Sequence, residues 1–72
     1  MGLRVESRQN DAGTAEPAVI WFGSRRVDVR GVADRWWGTG RRWWKVDTDE
    51  GQYVLRLDEA SGDWELAAVV RS

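Results

Sequence analysis

Arg42-Trp43-Trp44-Lys45-Val46-Asp47-Thr48, Gln52-Tyr53-Val54-Leu55-Arg56-Leu57-Asp58 and Asp63-Trp64-Glu65-Leu66-Ala67-Ala68-Val69-Val70 are three short runs of β-favouring, alternating side chains. Turn residues separate them: Asp49-Glu50-Gly51 first, then Glu59-Ala60-Ser61-Gly62. Period-two runs punctuated in this way read as an antiparallel meander. Parity then sorts the faces. Tyr53, Leu55 and Leu57 share one face of the middle strand. Trp44 and Val46 extend that face on one side, with Trp43, Lys45 and Asp47 turned outward. Trp64, Leu66, Ala68 and Val70 extend it on the other. The expectation is that Trp44, Val46, Tyr53, Leu55, Leu57, Trp64 and Leu66 are buried together.

Upstream, the same grammar continues. Val19-Ile20-Trp21-Phe22 reads as a strand and Gly23-Ser24 as a tight turn. Arg26-Val27-Asp28-Val29-Arg30 alternates cleanly, and Gly31 marks a bulge or kink. Val32 to Trp37 fits either a strand or a short helical turn, and Gly38-Thr39-Gly40 is a loop. Residues 1–16 are polar, carry no sustained period, and read as a disordered tail. Pro17, the single proline, marks the start of the domain. The fold class expected is therefore all-β: a disordered tail over 1–16, then a small barrel or strongly bent antiparallel sheet of five or six strands over 17–72. Closure of such a sheet removes exposed edges.

A chain of 72 residues makes one small domain. It buries only about 60–65% of its unfolded surface, which leaves it marginally stable. It has no Cys and no His, so disulfides and the usual zinc sites are absent as staples. Packing must hold it, and six tryptophans are the means. The same absences remove the common general base and the common strong nucleophile. Asp47, Asp49, Glu50, Asp58, Glu59 and Asp63 fall at expected turns, where acids serve turn geometry. Their spacing fails the EF-hand pattern. The glycine runs lack the Lys-Ser/Thr of a phosphate loop. The expectation is a non-enzyme with no cofactor, no metal and no small-molecule ligand. No apolar run reaches membrane-spanning length, and Met1 to Glu6 lacks the apolar stretch of a secretory signal. A soluble, cytoplasmic protein without membrane association is the corresponding expectation.

Two tryptophan pairs, Trp36-Trp37 and Trp43-Trp44, point to function. Neighbouring side chains in a strand face opposite ways, so each pair sends one indole into the core and the other outward. Arg35, Arg41, Arg42 and Lys45 surround them. Charge is also uneven along the chain. Residues 17–45 carry seven cations against two acids, and residues 46–72 carry two against seven. That asymmetry fits an anionic partner for the first half, and equally fits pairing of the two halves across neighbouring strands.

The motifs Gly40-Arg41-Arg42-Trp43-Trp44-Lys45-Val46, Gly51-Gln52-Tyr53-Val54-Leu55 and Ser61-Gly62-Asp63-Trp64-Glu65-Leu66 resemble a small bacterial domain of unknown function. So do Ile20-Trp21-Phe22-Gly23-Ser24-Arg25-Arg26-Val27 and Val32-Ala33-Asp34-Arg35-Trp36. That family occurs as short free-standing proteins, notably in actinobacteria. A similar segment closes the catalytically inactive Y-family-polymerase-like proteins of bacterial mutagenesis cassettes. The resemblance spans about residues 19–70. It implies a small β domain and a setting in DNA repair or translesion synthesis, and supplies no catalytic residues. The ending Val69-Val70-Arg71-Ser72 departs from the acidic or aromatic ending of the family.

The function expected is a non-catalytic accessory module that meets a protein partner through Arg35, Trp36, Trp37, Arg41, Arg42, Trp43 and Lys45. The alternative is a small barrel that binds single-stranded nucleic acid, with bases stacked on the outward rings.

Overall fold

The computed structural model describes residues 3–70. Residues 1–2 of the expected tail and 71–72 at the end of the expected domain lie outside them. Six strands follow one another: β1 (Arg4–Gln9), β2 (Ala15–Phe22), β3 (Arg25–Gly38), β4 (Arg41–Thr48), β5 (Gly51–Asp58) and β6 (Asp63–Val70). Every neighbour in sequence is an antiparallel neighbour in space, in the order β1-β2-β3-β4-β5-β6. The sheet curls into a half-barrel, and Leu3 N–H donates to the Trp64 carbonyl at 2.8 Å where its two ends approach.

The curl has a local cause in β3. Only Arg25–Asp28 pair with β2, against Phe22 to Val19. From Val29 to Gly38 the strand pairs with β4 instead. Register slips between Val29 and Gly31 and again between Val32 and Asp34, so Arg30 and Ala33 are extra residues. Each bulge bends the strand and sharpens its twist, and two in succession carry β3 from one side of the half-barrel to the other. The kink expected at Gly31 thus lies within a double bulge, and the undecided stretch Val32 to Trp37 is strand.

The expected disordered tail is the main correction. Residues 4–9 are a strand, and residues 10–14 are its hairpin loop. The Asn10 side-chain carbonyl accepts the backbone N–H of Ala12 and of Thr14, at 2.9 and 3.0 Å. Gly13 takes the left-handed conformation, φ 80°, that closes the loop. The same device closes the β2–β3 turn, where Gly23 has φ 64° ahead of Ser24. Asn, Asp and Gly over 9–14 are therefore turn chemistry rather than a flexible stretch. Pro17 lies inside β2, not at its start. Residues 15–17 pair with β1 alone and have no β3 partner, and Pro17 adjoins the bulge at Ala18, the kind of edge position where a strand accepts proline.

The core is Val19, Ile20, Val27, Trp44, Val46, Tyr53 and Leu55. Trp44, Val46, Tyr53 and Leu55 are buried together as their parity requires, with Trp44 only 2% exposed. Leu57 and Trp64 are half-buried against them, beside Leu3, Val5, Phe22, Val29 and Val32. Leu66 is 38% exposed, against expectation. It faces Leu55 in register, but β6 is an outer strand of the sheet with nothing packed beyond it there. A slip at Ala67 then reverses the parity of β6, so Val69 rather than Ala68 lies opposite Tyr53.

Charge on the two halves of the chain is partly settled internally. Arg25 Nη1 donates to both Glu50 oxygens, at 2.7 and 2.8 Å, and Arg30 pairs with Asp49. Within the halves, Arg26 pairs with Asp28 and Arg56 with Glu65, and Arg35 pairs with Glu16, which precedes both halves. These pairs are mostly solvent-exposed, so each contributes at most about 1 kcal/mol.

Tyr53 donates its hydroxyl proton to Glu50 Oε1 at 3.0 Å. Burial raises its hydroxyl above the ordinary phenol value of 10.0, the neighbouring carboxylate adds to the rise, and Arg25 opposes it. A raised folded-state value favours the neutral phenol. The stability this contributes is intact below pH 10 and is lost as pH rises through the unfolded and then the folded value. Thermal melts should therefore show a falling transition temperature above about pH 10. Tyr53 is the single tyrosine, so Tyr53→Phe should flatten that fall; an unchanged slope would show that Tyr53 does not titrate this way.

Candidate interaction site

The β3–β4 hairpin carries all seven residues expected at a site, but on both of its faces. In register, Trp36 lies opposite Trp43, Trp37 opposite Arg42, and Arg35 opposite Trp44. Parity continues across β5, where Trp43 faces Arg56 and Arg42 faces Leu57. Trp36, Arg41, Trp43 and Lys45 thus belong to the convex face. Arg35, Trp37 and Arg42 belong to the concave face that holds the core.

The two pairs behave differently. Trp44 is core, and Trp43 on the other face is half-buried. A Cβ on Gly38 would stand 2.9 and 3.0 Å from Cζ3 and Cη2 of the Trp43 ring. The indole therefore lies diagonally over Gly38, in space that only glycine leaves. In the other pair both rings are exposed, Trp36 at 41% and Trp37 at 63%. The expectation that one of them enters the core is corrected here. Trp37 does take the concave side, but it sits one residue from the end of β3, past the packed interior.

Beneath Trp37 lies Arg42. Its guanidinium carbon is 5.8 Å from the Trp37 ring centroid and 4.9 Å from that of Trp44. Trp44 in turn packs on Trp64, with centroids 5.1 Å apart and planes tilted by 37°. The result is a row of Trp37, Arg42, Trp44 and Trp64 running from the open rim into the core. Guanidinium over indole is a favourable contact, worth more where water is excluded. Two donors in this row are buried without an acceptor, Arg42 Nε and Trp44 Nε1.

The remaining candidates are arranged separately. Arg35 Nε donates to Glu16 Oε2 at 2.7 Å, and Glu16 Oε1 accepts from Asn10 Nδ2 at 3.0 Å. This bridge spans the split between the first residues of β2 and the far half of β3. Arg35 is thus engaged within the fold. Arg41, Arg42 and Lys45 form no ion pair among the described residues, and neither does Arg8. On the far side of the half-barrel, Arg4 stacks on Trp21 at 4.8 Å, and Trp21 Nε1 donates to Glu6. Reading residues 1–16 as a tail hid this second Trp–Arg contact. Among the described residues no group of His, Cys, Asp or Glu gathers as a metal site. No helix is long and apolar enough to cross a membrane.

No family model, curated protein or solved structure matches the chain.

Past Asp28, β3 has β4 on one side and no strand on the other. From Val29 to Gly38 that side carries no paired strand among the described residues; Glu16 to Ala18 face Val29 to Val32 across a cleft, and the segment ends in the two exposed indoles.

Proposed function

We propose that this chain is a non-catalytic binding module that meets a protein partner on the indole–guanidinium end of the β3–β4 hairpin. The observation that carries this reading is Trp37, 63% exposed on a formed strand with the Arg42 guanidinium stacked beneath it. Leaving a large indole in water is costly, and Trp and Arg are the residues that dominate protein-binding energetics. An adjacent unpaired strand edge gives a partner backbone somewhere to bond. The motif resemblance directs the search for that partner to bacterial DNA repair and translesion synthesis.

Trp37→Ala should leave the melting temperature nearly unchanged, because the ring packs on one side only. It should weaken partner binding by about 2 kcal/mol or more, with modest salt dependence. Capture of partners from extracts of the native cells, by wild type and by Trp37→Ala in parallel, checks this. A partner held equally by both would contradict it.

A second reading is a single-stranded nucleic-acid binder, favoured by the unpaired Arg41, Arg42 and Lys45 around exposed rings. Titration with oligothymidine at low and moderate salt separates the two. Fluorescence quenching that weakens steeply with salt would support nucleic acid, and no quenching at low salt would remove it.

A further inference from the structure

We infer that the partner reaches this surface with a carboxylate, and that Arg42 takes it end-on through its two terminal nitrogens, framed by Trp37. This rests on the protein-contact reading above. Six of the nine described arginines have a carboxylate partner: Arg4, Arg25, Arg26, Arg30, Arg35 and Arg56. Of the others, Arg8 and Arg41 are exposed, and water solvates them. Arg42 differs. It is half-buried, its guanidinium lies between two indoles, and its Nε is sealed from solvent with no acceptor. A guanidinium drawn out of water needs a compensating anion more than an exposed one does. With Nε sealed, the side-on mode is closed. The parallel Nη groups remain as a fork for two carboxylate oxygens.

The surroundings favour a carboxylate on a peptide over a phosphate backbone. The β5–β6 turn is tied to the β3–β4 turn by the Glu59 N–H donating to the Gly40 carbonyl at 2.9 Å. Asp58 lies opposite Arg41, and Asp63 opposite Asp58. Parity places Asp58 and Asp63 on the convex face with Arg41, so this acidic turn borders the hairpin tip on the face opposite Arg42. On the concave face of the hairpin Arg42 is, among the described residues, the one cation without a partner, because Arg35 is held by Glu16. A phosphate backbone is bound through several cations; a single carboxylate needs only one, and the exposed Trp37 face supplies apolar contact beside it.

The test is selection of a phage-displayed random peptide library on the full chain, counter-selected on Trp37→Ala. The enriched peptide is then synthesised and titrated by intrinsic fluorescence. Enriched peptides should share an Asp, a Glu or a free C-terminus at one position. Changing that acid to its amide should weaken binding roughly tenfold to a hundredfold, the range of a charge-assisted hydrogen bond. Arg42→Gln should match that loss, Arg42→Lys should recover part of it, and Arg41→Gln should change little. The peptide-side change keeps the test decisive if Arg42→Gln fails to fold. Peptides that need Trp37 but bind equally as acid and amide would overturn the carboxylate inference and leave the protein-contact reading standing. No enrichment over Trp37→Ala, or binding of oligothymidine instead, would overturn both.

Discussion

Trp44→Ala should remove most of the stability of this domain. Trp44 is 2% exposed and lies at the centre of the core, against Trp64 and over the Arg42 guanidinium. Truncating a buried aromatic costs about 3–5 kcal/mol. A domain of this size has only about 4–11 kcal/mol in total, at the usual 0.05–0.15 per residue. The thermal transition should fall by roughly 10–40 °C, or be lost at room temperature. Trp44→Phe should cost less, because it keeps much of the volume and removes a buried indole N–H that has no acceptor. Circular dichroism melts and urea titrations of the three proteins check this. A Trp44→Ala variant melting within a few degrees of wild type would contradict the placement of the core.

The second large effect is expected from deleting residues 1–9. Read as a sequence, that segment is dispensable. In the fold it is β1, paired with β2 from Arg4 opposite Trp21 to Gln9 opposite Ala15. Val5 lies opposite Ile20, and Leu3 joins the far end of the sheet at Trp64. Deletion removes these backbone bonds, each worth about 0.5–1.5 kcal/mol net, and uncovers apolar surface around Ile20. It also converts β2 into a bare edge, which favours association. A loss of at least about 3 kcal/mol in urea unfolding is expected from these terms, with increased light scattering. The single change Val5→Asp should reproduce part of the loss. A truncated chain with an unchanged unfolding midpoint would return residues 1–16 to the status of a tail.

These two outcomes bear on how much the sequence could say. The meander from Arg41 to Val70 was legible because its strands alternate and its turns carry Asp, Glu and Gly at hairpin spacing. β1 was not. Arg4-Val5-Glu6-Ser7-Arg8-Gln9 has one apolar residue, because the strand covers the core with Val5 alone and is otherwise solvated. A strand of that kind has too weak a period to separate from a polar tail. Bulges were the other obstacle. Extra residues at Arg30, Ala33 and Ala67 reverse parity partway along a strand, so counting by twos from Trp64 misplaces Ala68 and Val70. At the site, alternation correctly divided Trp43 from Trp44. It failed for Trp36 and Trp37, because facing the concave side buries a ring only where something packs over it. The stacking of Arg42 between Trp37 and Trp44 follows from i, i+2 and cross-strand adjacency, and was readable only once the β3–β4 register was known.

The most direct measurement is hydrogen exchange at the six indole Nε1–H groups, followed by two-dimensional NMR on the native chain. Burial of Trp44 and the open position of Trp36 and Trp37 predict a wide spread. The Trp44 signal should persist longest, with Trp64 next, and the Trp36 and Trp37 signals should vanish fastest. Six indoles exchanging at one common, slow rate would contradict the exposed indole surface and leave the paired tryptophans as core alone.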